Sequence, residues 1–585
     1  MPSESSSVET RSGTGVWLRG RRAIGAALLA LFVLGALLRL HEIGSRSLSH
    51  PENFVPGIAV PEWTIVPPPR PDTRAVLLTT LDDGHPPTYF LALIPWIRLF
   101  GTSHESYRVP SALLGALSIL LVFAVARREV SRSWALLPAA LLSLHGFHIY
   151  WSQLARPYSM AAFLALLSTL FMLRHLERER RLDALGLFAS TALALWTQLY
   201  AWPLVFTQML VGALREWGEH ARLRTLRVQL AAVIVALPVV AIAIVQDPPT
   251  KWNDPRLGYL ELGFAFMRGA AFWSEAPAPF VPSWLTIGVT VALLAVSAVG
   301  ALTRFDRVRA RATDGAVRAE QPHWFPAWLL TDLALLSAAG MLALYVANGK
   351  TRLALLLGCA LPLGLVVLAE LLRAVVEPRL RRFAFLARAA APLALWLALL
   401  PPLLMLAVSA QRPSWVARGA LVYVPFLLIA AGAGVAALAK RPLVAGVAAS
   451  FLFAVCASSS SYYARAKAGP RDYQNLAREL RANLAPDDAI FVQRSLYTYP
   501  PLYYYLPDHL EQLVGNDWGT FVEREQPRRV WLISFRNDHL DLPEEMRAAV
   551  VAYRRTDSRH AHNAHAILME RDEALAASDP QASAR

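Results

Sequence analysis

Stretches of about 20 apolar residues recur along most of this 585-residue chain, and that is the length a helix needs to cross the hydrocarbon core of a bilayer. A water-soluble chain of this size would instead divide into domains with polar surfaces. With 55% hydrophobic and 17% charged residues, it reads as a multi-pass, all-α membrane protein. By apolar length about thirteen membrane helices are expected, over roughly 22–40, 108–126, 134–150, 157–173, 184–201, 203–214, 228–245, 284–302, 325–347, 353–372, 391–409, 420–438 and 442–459. The run 203–214 is short enough to be half of a broken helix. The run 88–100 (TYFLALIPWIRLF) is too short to span and has the look of an interfacial helix. The first apolar run follows Arg19, Arg21 and Arg22, but no small-residue cleavage site comes after it, so it is expected to be retained rather than removed as a signal peptide.

The net charge of +14 has an explanation in topology rather than in nucleic-acid binding. Arginines cluster in alternate loops: Arg127, Arg128 and Arg132; Arg174, Arg178, Arg180 and Arg181; Arg215, Arg222, Arg224 and Arg227; and onward to Lys440 and Arg441. Basic loops stay in the cytoplasm, so the N-terminus is expected inside and the C-terminus outside, which requires an odd number of helices. Loop 41–107 then faces outward, as do 150–156, 246–283, 348–352 and 410–419. The domain layout expected is a cytoplasmic tail over 1–21, a membrane domain over 22–463, an extracytoplasmic α/β domain over 464–573 and a disordered tail over 574–585. In the C-terminal domain a helix-like run (471–484) is followed by strand-like runs at 489–494, 528–535 and 565–570. Cys359 and Cys456 both sit in apolar runs, which excludes a disulfide framework and fits packing.

Groups that titrate concentrate in the first outer loop, where "HPEN" (50–53) and "DDGHPP" (82–87) each place a carboxylate and a histidine beside a stiffening proline. A solvated loop explains such residues equally well, but long loops in compact proteins are often functional. Near an apolar surface a carboxylate is partly desolvated and suited to act as a base. The next outer loop, "HGFHIYWSQLARPYSM", carries Arg156 and Tyr158. An aromatic belt with a snorkelling arginine would look the same. Yet Arg156, Lys350, Arg352 and Arg418 are cations on the side that loop bias leaves poor in them, and together they suit a phosphate. The "GAGVAA" match at 432–437 follows no strand, so it is helix packing and no dinucleotide site. Composition admits a divalent metal in the first outer loop, without tight ligand spacing; no other cofactor is expected.

The order and spacing of "DDGHPPTYFLALIPWIRLFG", "SYRVPSALLGALSILLVFAVARR" and "HGFHIYWSQLARPYSM" resemble bacterial glycosyltransferase family 39, related to protein mannosyltransferases and aminoarabinose transferases. The resemblance implies a GT-C membrane fold with a C-terminal extracytoplasmic domain. It also implies inverting transfer of a hexosyl or pentosyl group from a polyprenyl-phosphate carrier to an acceptor (protein, lipid or glycan) outside a bacterial inner membrane. On this resemblance Glu52 or Asp83 is the catalytic base, and His85, Arg156, Tyr158, Lys350, Arg352 and Arg418 bind the donor. Members commonly carry Asp-Glu where this chain has Pro51-Glu52, and Gln-Glu where it has Gln153-Leu154. Two other readings therefore stand beside it: a transporter or flippase of a lipid-linked substrate, and an inactive relative that binds lipid-linked sugar. Transporters place ionisable groups near the bilayer midplane, and Asp332 is the chief acid of that kind here. The topology is directly testable. A reporter active only outside the cytoplasm should work when fused after Tyr463 and fail after Arg128; the reverse pattern would overturn the orientation.

Overall fold

The computed structural model describes residues 10–48, 52, 55, 86–216, 223–245, 296–297, 393–411, 417–465, 472–492, 502, 504–515, 517–534, 544–561 and 564–577. In chain order the helices are α1 (Thr10–Leu40), α2 (Thr88–Phe100), α3 (His104–Ala126), α4 (Leu136–Ser143), α5 (Gly146–Ser152), α6 (Tyr158–Arg178), α7 (Arg181–Thr197), α8 (Ala201–Glu216) and α9 (Arg224–Val245). After these come α10 (Leu393–Gln411), α11 (Val424–Ala437), α12 (Pro442–Arg465), α13 (Tyr473–Asn483), α14 (Trp518–Glu525), α15 (Glu544–Ala549) and α16 (Glu573–Ala577). The chain divides into two compact units. One comprises Met1–Leu40, Ser111–Gln153 and Pro157–Tyr463; the other comprises His41–Pro110, Leu154–Arg156 and Ala464–Arg585.

The first unit is helical. Among the described residues three helices are long and apolar enough to cross a membrane: Arg21–Leu40, His104–Ala126 and Tyr158–Arg178; α8, α10, α11 and α12 supply shorter apolar segments. Leu29 and Leu37 of α1 are each 61% exposed, which suits hydrocarbon rather than water. The protein is thus a membrane protein. The expected segments 284–302, 325–347 and 353–372, with Asp332, lie outside the described residues. One expected helix, 134–150, is two. α4 stops at Ser143, and His145 becomes the N-cap of α5, its Nδ1 accepting the His148 amide N–H at 3.2 Å. A side-chain acceptor at this position satisfies an N-terminal amide and starts a new helix where apolar length alone sees none.

Polar groups inside the bundle are joined to each other. Ser168 of α6 bonds Thr191 of α7 at 2.9 Å and donates to Gln208 Oε1 of α8 at 3.0 Å. Gln208 Nε2 donates to Thr169 Oγ1 at 2.7 Å, and Gln229 of α9 donates to Gln208 Oε1 at 3.2 Å. Without water, side chains on neighbouring helices are the available partners.

The second unit contains a five-stranded sheet, β1 (Ala489–Val492), β2 (Leu513–Gly515), β3 (Arg529–Ser534), β4 (Tyr553–Ala561) and β5 (Ala564–Arg571), in the order β2-β1-β3-β5-β4. β1 pairs in parallel with β2 and β3, and β5 pairs antiparallel with β3 and β4. Both faces are covered, and the side-chain period of two sorts the residues. Ile490, Val492, Trp531, Ile533, Ala566 and Leu568 pack against Tyr473, Leu476 and Leu480 of α13. Phe491, Val530, Leu532 and Ile567 pack against Trp518 of α14 and Met546 of α15. α13 starts at Asp472, whose carboxylate accepts the Asn475 amide N–H. The short α2 ends on Gly101 at φ +81°, a backbone angle that favours glycine.

The bundle's polar seam gives a stability prediction. Gln208→Leu takes the acceptor from Gln229 Nε2 and one of two partners from the Ser168 hydroxyl, so the thermal midpoint in detergent should fall by the equivalent of about 1–2 kcal/mol; an unchanged or higher midpoint would show that the seam does not hold the helices.

Candidate functional site

The clearest cluster of buried charge lies in the second unit and starts from α3. Ser103 caps this helix, its Oγ accepting the Ser106 amide N–H at 3.2 Å. Pro110 has no N–H to offer the Ser106 carbonyl four residues back. The indole Nε1 of Trp96 donates to that oxygen instead, at 2.8 Å.

Arg108 projects from this first part of α3 and is 1% exposed. Its Nε donates to Glu52 Oε1 at 2.8 Å and one terminal nitrogen donates to Glu52 Oε2 at 2.8 Å, a two-pronged ion pair. The remaining donors reach backbone carbonyls, those of Ile43, Arg46 and Ser47, each at 2.9 Å. Glu52 is fully buried, and its Oε1 also accepts the Ala155 amide N–H at 2.8 Å. One arginine and one glutamate therefore tie together α3, the chain after α1 and the turn Leu154–Arg156. In that turn the Arg156 amide N–H donates to the Leu154 carbonyl at 2.8 Å. Removing one partner of a buried pair leaves the other charge uncompensated, typically at a cost of about 3–5 kcal/mol.

The stretch that supplies those carbonyls is held from its other side by the C-terminal part of the same unit. The Leu48 amide N–H donates to the Tyr505 hydroxyl at 2.6 Å. Ser47 Oγ donates to Asp472 Oδ1 at 3.1 Å and accepts the Gln474 amide N–H at 2.8 Å. The Tyr504 hydroxyl donates to the Thr102 carbonyl at 2.6 Å. His104 stacks edge-on against Tyr505, with ring centroids 5.0 Å apart. Burial pushes the Tyr505 phenol well above its ordinary range and that of Tyr504 up to about 12, so both remain protonated at physiological pH.

The first unit has its own buried arginine. Arg39, near the end of α1, donates to the carbonyls of Gly35 (2.9 Å), Leu142 (3.0 Å) and Ser143 (3.4 Å), and to His148 Nδ1 (3.0 Å). Leu142 and Ser143 end α4, where the Leu142 carbonyl accepts only a long bond from the His145 amide N–H, at 3.3 Å, and a cation is favourable. Because arginine only donates, His148 Nδ1 accepts and its proton sits on Nε2. A side chain at Gly115 would place its Cβ 2.2 Å from Ser152 Oγ and 3.1 Å from Arg39 Nε, so glycine leaves the room this cluster occupies.

The residues expected from sequence fall as follows. Glu52 sits in the Arg108 cluster. Arg156 closes the Leu154–Arg156 turn, 3% exposed, with its guanidinium carbon 5.9 Å from the centre of the Phe90 ring. Tyr158 begins α6 in the first unit and packs edge-on against Trp151 at 5.0 Å. Arg418 is half-buried on the 3-10 turn Ala417–Val422, which packs against α5 and α6. Asp83, His85, Lys350 and Arg352 lie outside the described residues. Among the described residues no group of three His, Cys, Asp or Glu is arranged to hold a metal; most of the acid-rich first outer loop lies outside them.

Arg108, Arg39 and His148 were not singled out from the sequence. The signal for the two arginines was present: each is an ionisable residue at the edge of an apolar run of membrane length, and such residues need a named partner.

Residues 84–245 match the family model described as dolichyl-phosphate-mannose-protein mannosyltransferase. The family resemblance drawn from the three motifs thus holds over the second and third of them and over the first from Gly84 onward, with Asp82 and Asp83 just outside the match. No curated protein matches the chain. Among solved structures, ArnT from Cupriavidus metallidurans in the apo state is 14% identical, with 94% of this chain and 99% of that one covered at a TM-score of 0.40. The same protein bound to undecaprenyl phosphate is 16% identical, with coverage of 92% and 97% and a TM-score of 0.39. The oligosaccharyltransferase AglB from Archaeoglobus fulgidus, in complex with an inhibitory peptide and a dolichol-phosphate, is 13% identical, with coverage of 94% and 74% and a TM-score of 0.43.

The tie between Ser47–Leu48 and the C-terminal part yields a prediction. Tyr505→Phe leaves the buried Leu48 N–H without its acceptor, so stability should fall by about 1–3 kcal/mol. Tyr504→Phe removes a donor from a less buried carbonyl and should cost less. Thermal unfolding of the two variants in detergent checks the order, and equal midpoints would show that Tyr505 does not pin the loop.

Proposed function

We propose that this protein is a glycosyltransferase that works on the extracytoplasmic face of a bacterial cytoplasmic membrane, moving a hexosyl or pentosyl group from a polyprenyl-phosphate carrier to an acceptor hydroxyl. The observation that carries the reading is the turn Leu154–Arg156, inside the stretch that matches the mannosyltransferase family model. It holds a nearly buried guanidinium, and its backbone is anchored by a carboxylate. A cation shielded from bulk water stabilises a leaving phosphate far better than one in solution. An outward-facing site has no nucleotide sugar available, which calls for a donor carried across on lipid.

In this mechanism Arg156 meets the donor phosphate, with Lys350, Arg352 and Arg418 as further cations and Tyr158 and His85 at the donor. An acid of the first outer loop, Glu52 or Asp83, takes the proton from the acceptor hydroxyl while its oxygen attacks the anomeric carbon. The bond to the phosphate oxygen breaks, the phosphate keeps the electron pair, and the single displacement inverts the anomeric centre. The membrane part is read as thirteen helices, with the N-terminus cytoplasmic and residues 464–573 outside.

A second reading is a protein that binds lipid-linked sugar without transferring it. Leu154 favours it: where the resembled family carries an acid, this chain buries an apolar side chain. Sugar transfer from undecaprenyl-phosphate-linked donors, measured alongside undecaprenyl phosphate binding, separates the two. Asp83→Asn should lower single-turnover transfer by about 10²–10⁴ and leave binding intact. Arg156→Ala should weaken binding more than Arg156→Lys, which keeps the charge but loses the fork. Binding without transfer from every donor would favour the second reading, and absence of binding would sink both.

A further inference from the structure

We propose that Glu52 is a positioning residue and not the proton acceptor: with Arg108 it forms a closed clasp that fixes the Ala155–Arg156 backbone. The inference deepens the reading above, because it assigns Arg156 its orientation and removes one of the two candidate bases.

A guanidinium has five N–H groups, and all five of Arg108 are used, two on Glu52 and three on the carbonyls of Ile43, Arg46 and Ser47. None is left for a phosphate. Both oxygens of Glu52 face this fork, and Oε1 also accepts the Ala155 N–H. A general base needs a lone pair within about 2.6–3.2 Å of the hydroxyl it deprotonates. Arg108 and Ala155 take three of the carboxylate's roughly four lone-pair positions, and it is fully buried, so an acceptor hydroxyl would reach it only by displacing groups packed around it. The pair is instead suited to holding shape. Planar two-point Arg–carboxylate contact fixes orientation as well as distance. The amide it captures belongs to the residue directly before Arg156, in a turn already tightened by the Arg156 N–H to Leu154 carbonyl bond.

A base cannot be rescued by deleting its partner, whereas a clasp can be replaced by neutral groups of similar size. The test compares wild type, Glu52→Gln, Arg108→Met, the double variant Glu52→Gln/Arg108→Met and Arg156→Ala. Undecaprenyl phosphate affinity, thermal midpoint and single-turnover transfer are measured for each in detergent. Glu52→Gln should weaken affinity about tenfold and lower the midpoint, because it leaves Arg108 with a buried uncompensated charge. The double variant should regain part of both and transfer faster than Glu52→Gln, since the glutamine amide oxygen still accepts the Ala155 N–H and no lone charge remains, while the carbonyls of Ile43, Arg46 and Ser47 still lack their donor. Arg156→Ala should lose affinity at least as far as Glu52→Gln does. If Glu52→Gln and the double variant bind like wild type and both fail in transfer, Glu52 is the base and the proposal falls. If the losses in midpoint of the two single variants add in the double, there is no clasp. Should wild type not bind undecaprenyl phosphate, the lipid-phosphate reading fails while the midpoints still decide the clasp. Arg108→Lys covers the case in which Glu52→Gln does not fold: it keeps the charge but not the fork, and unchanged undecaprenyl phosphate affinity in that variant would also overturn the proposal.

Discussion

A guanidinium out of reach of water must find a partner for every N–H, and Arg108 does so within one fork-shaped contact. That requirement organises the second unit. Three carbonyls between Ile43 and Ser47 have to converge on one nitrogen pair, so the chain after α1 cannot wander. Glu52 has to reach in from beyond it. The carboxylate's remaining capacity then reaches Ala155, more than a hundred residues later. The hydroxyl of Tyr505 and the carboxylate of Asp472 act one step further out, holding Ser47 and Leu48 so that their neighbouring carbonyls stay in place. The sheet that carries Tyr505 on its β1–β2 connection is thereby built into the same compact unit as the loop, and the division of the chain follows these bonds rather than the linear order of membrane part and appended domain.

Arg39 solves the same problem without an acid. Its partners are carbonyls, including two at the end of α4, and an imidazole nitrogen. The exposed C-terminal carbonyls of a helix carry partial negative charge, which makes them the natural neutral counterpart to a buried cation. His148 is drawn into one tautomer by this contact, and the break between α4 and α5 brings both the carbonyls and the imidazole to Arg39.

Much of the helical architecture was legible because hydrocarbon imposes a length. α1, α2, α3, α6 and α9 lie where the apolar runs put them, and α13, β1, β3 and β5 follow from period and composition. The rest depended on partners that are distant in sequence. The break at Leu144–His145 comes from one side-chain cap inside an apolar run. β4 (YRRTDSRHA) was missed because an edge strand can carry a charge at four of nine residues and still pair, here along all of β5. β2 is three residues long and takes its conformation from β1 beside it. At the site, the sequence pointed to Glu52 and Arg156 as chemically interesting, but not to Arg108 between them in the chain. Sequence proximity to a motif cannot tell a carboxylate with a free lone pair from one whose oxygens are already bonded.

That distinction matters for any acid near a membrane face. Burial strengthens the attraction between a carboxylate and a guanidinium, and it equally strengthens the penalty for separating them. A glutamate used as a base has to give up its charge during the reaction, so a site gains by leaving it loosely held and near water or substrate. A glutamate used as a fastener has to keep its charge throughout, so a site gains by surrounding it with donors. Glu52 has the surroundings of a fastener: two N–H groups of Arg108, an amide N–H of Ala155 and no exposed surface. The cation best suited to an incoming anion is then Arg156, whose backbone the fastened carboxylate holds.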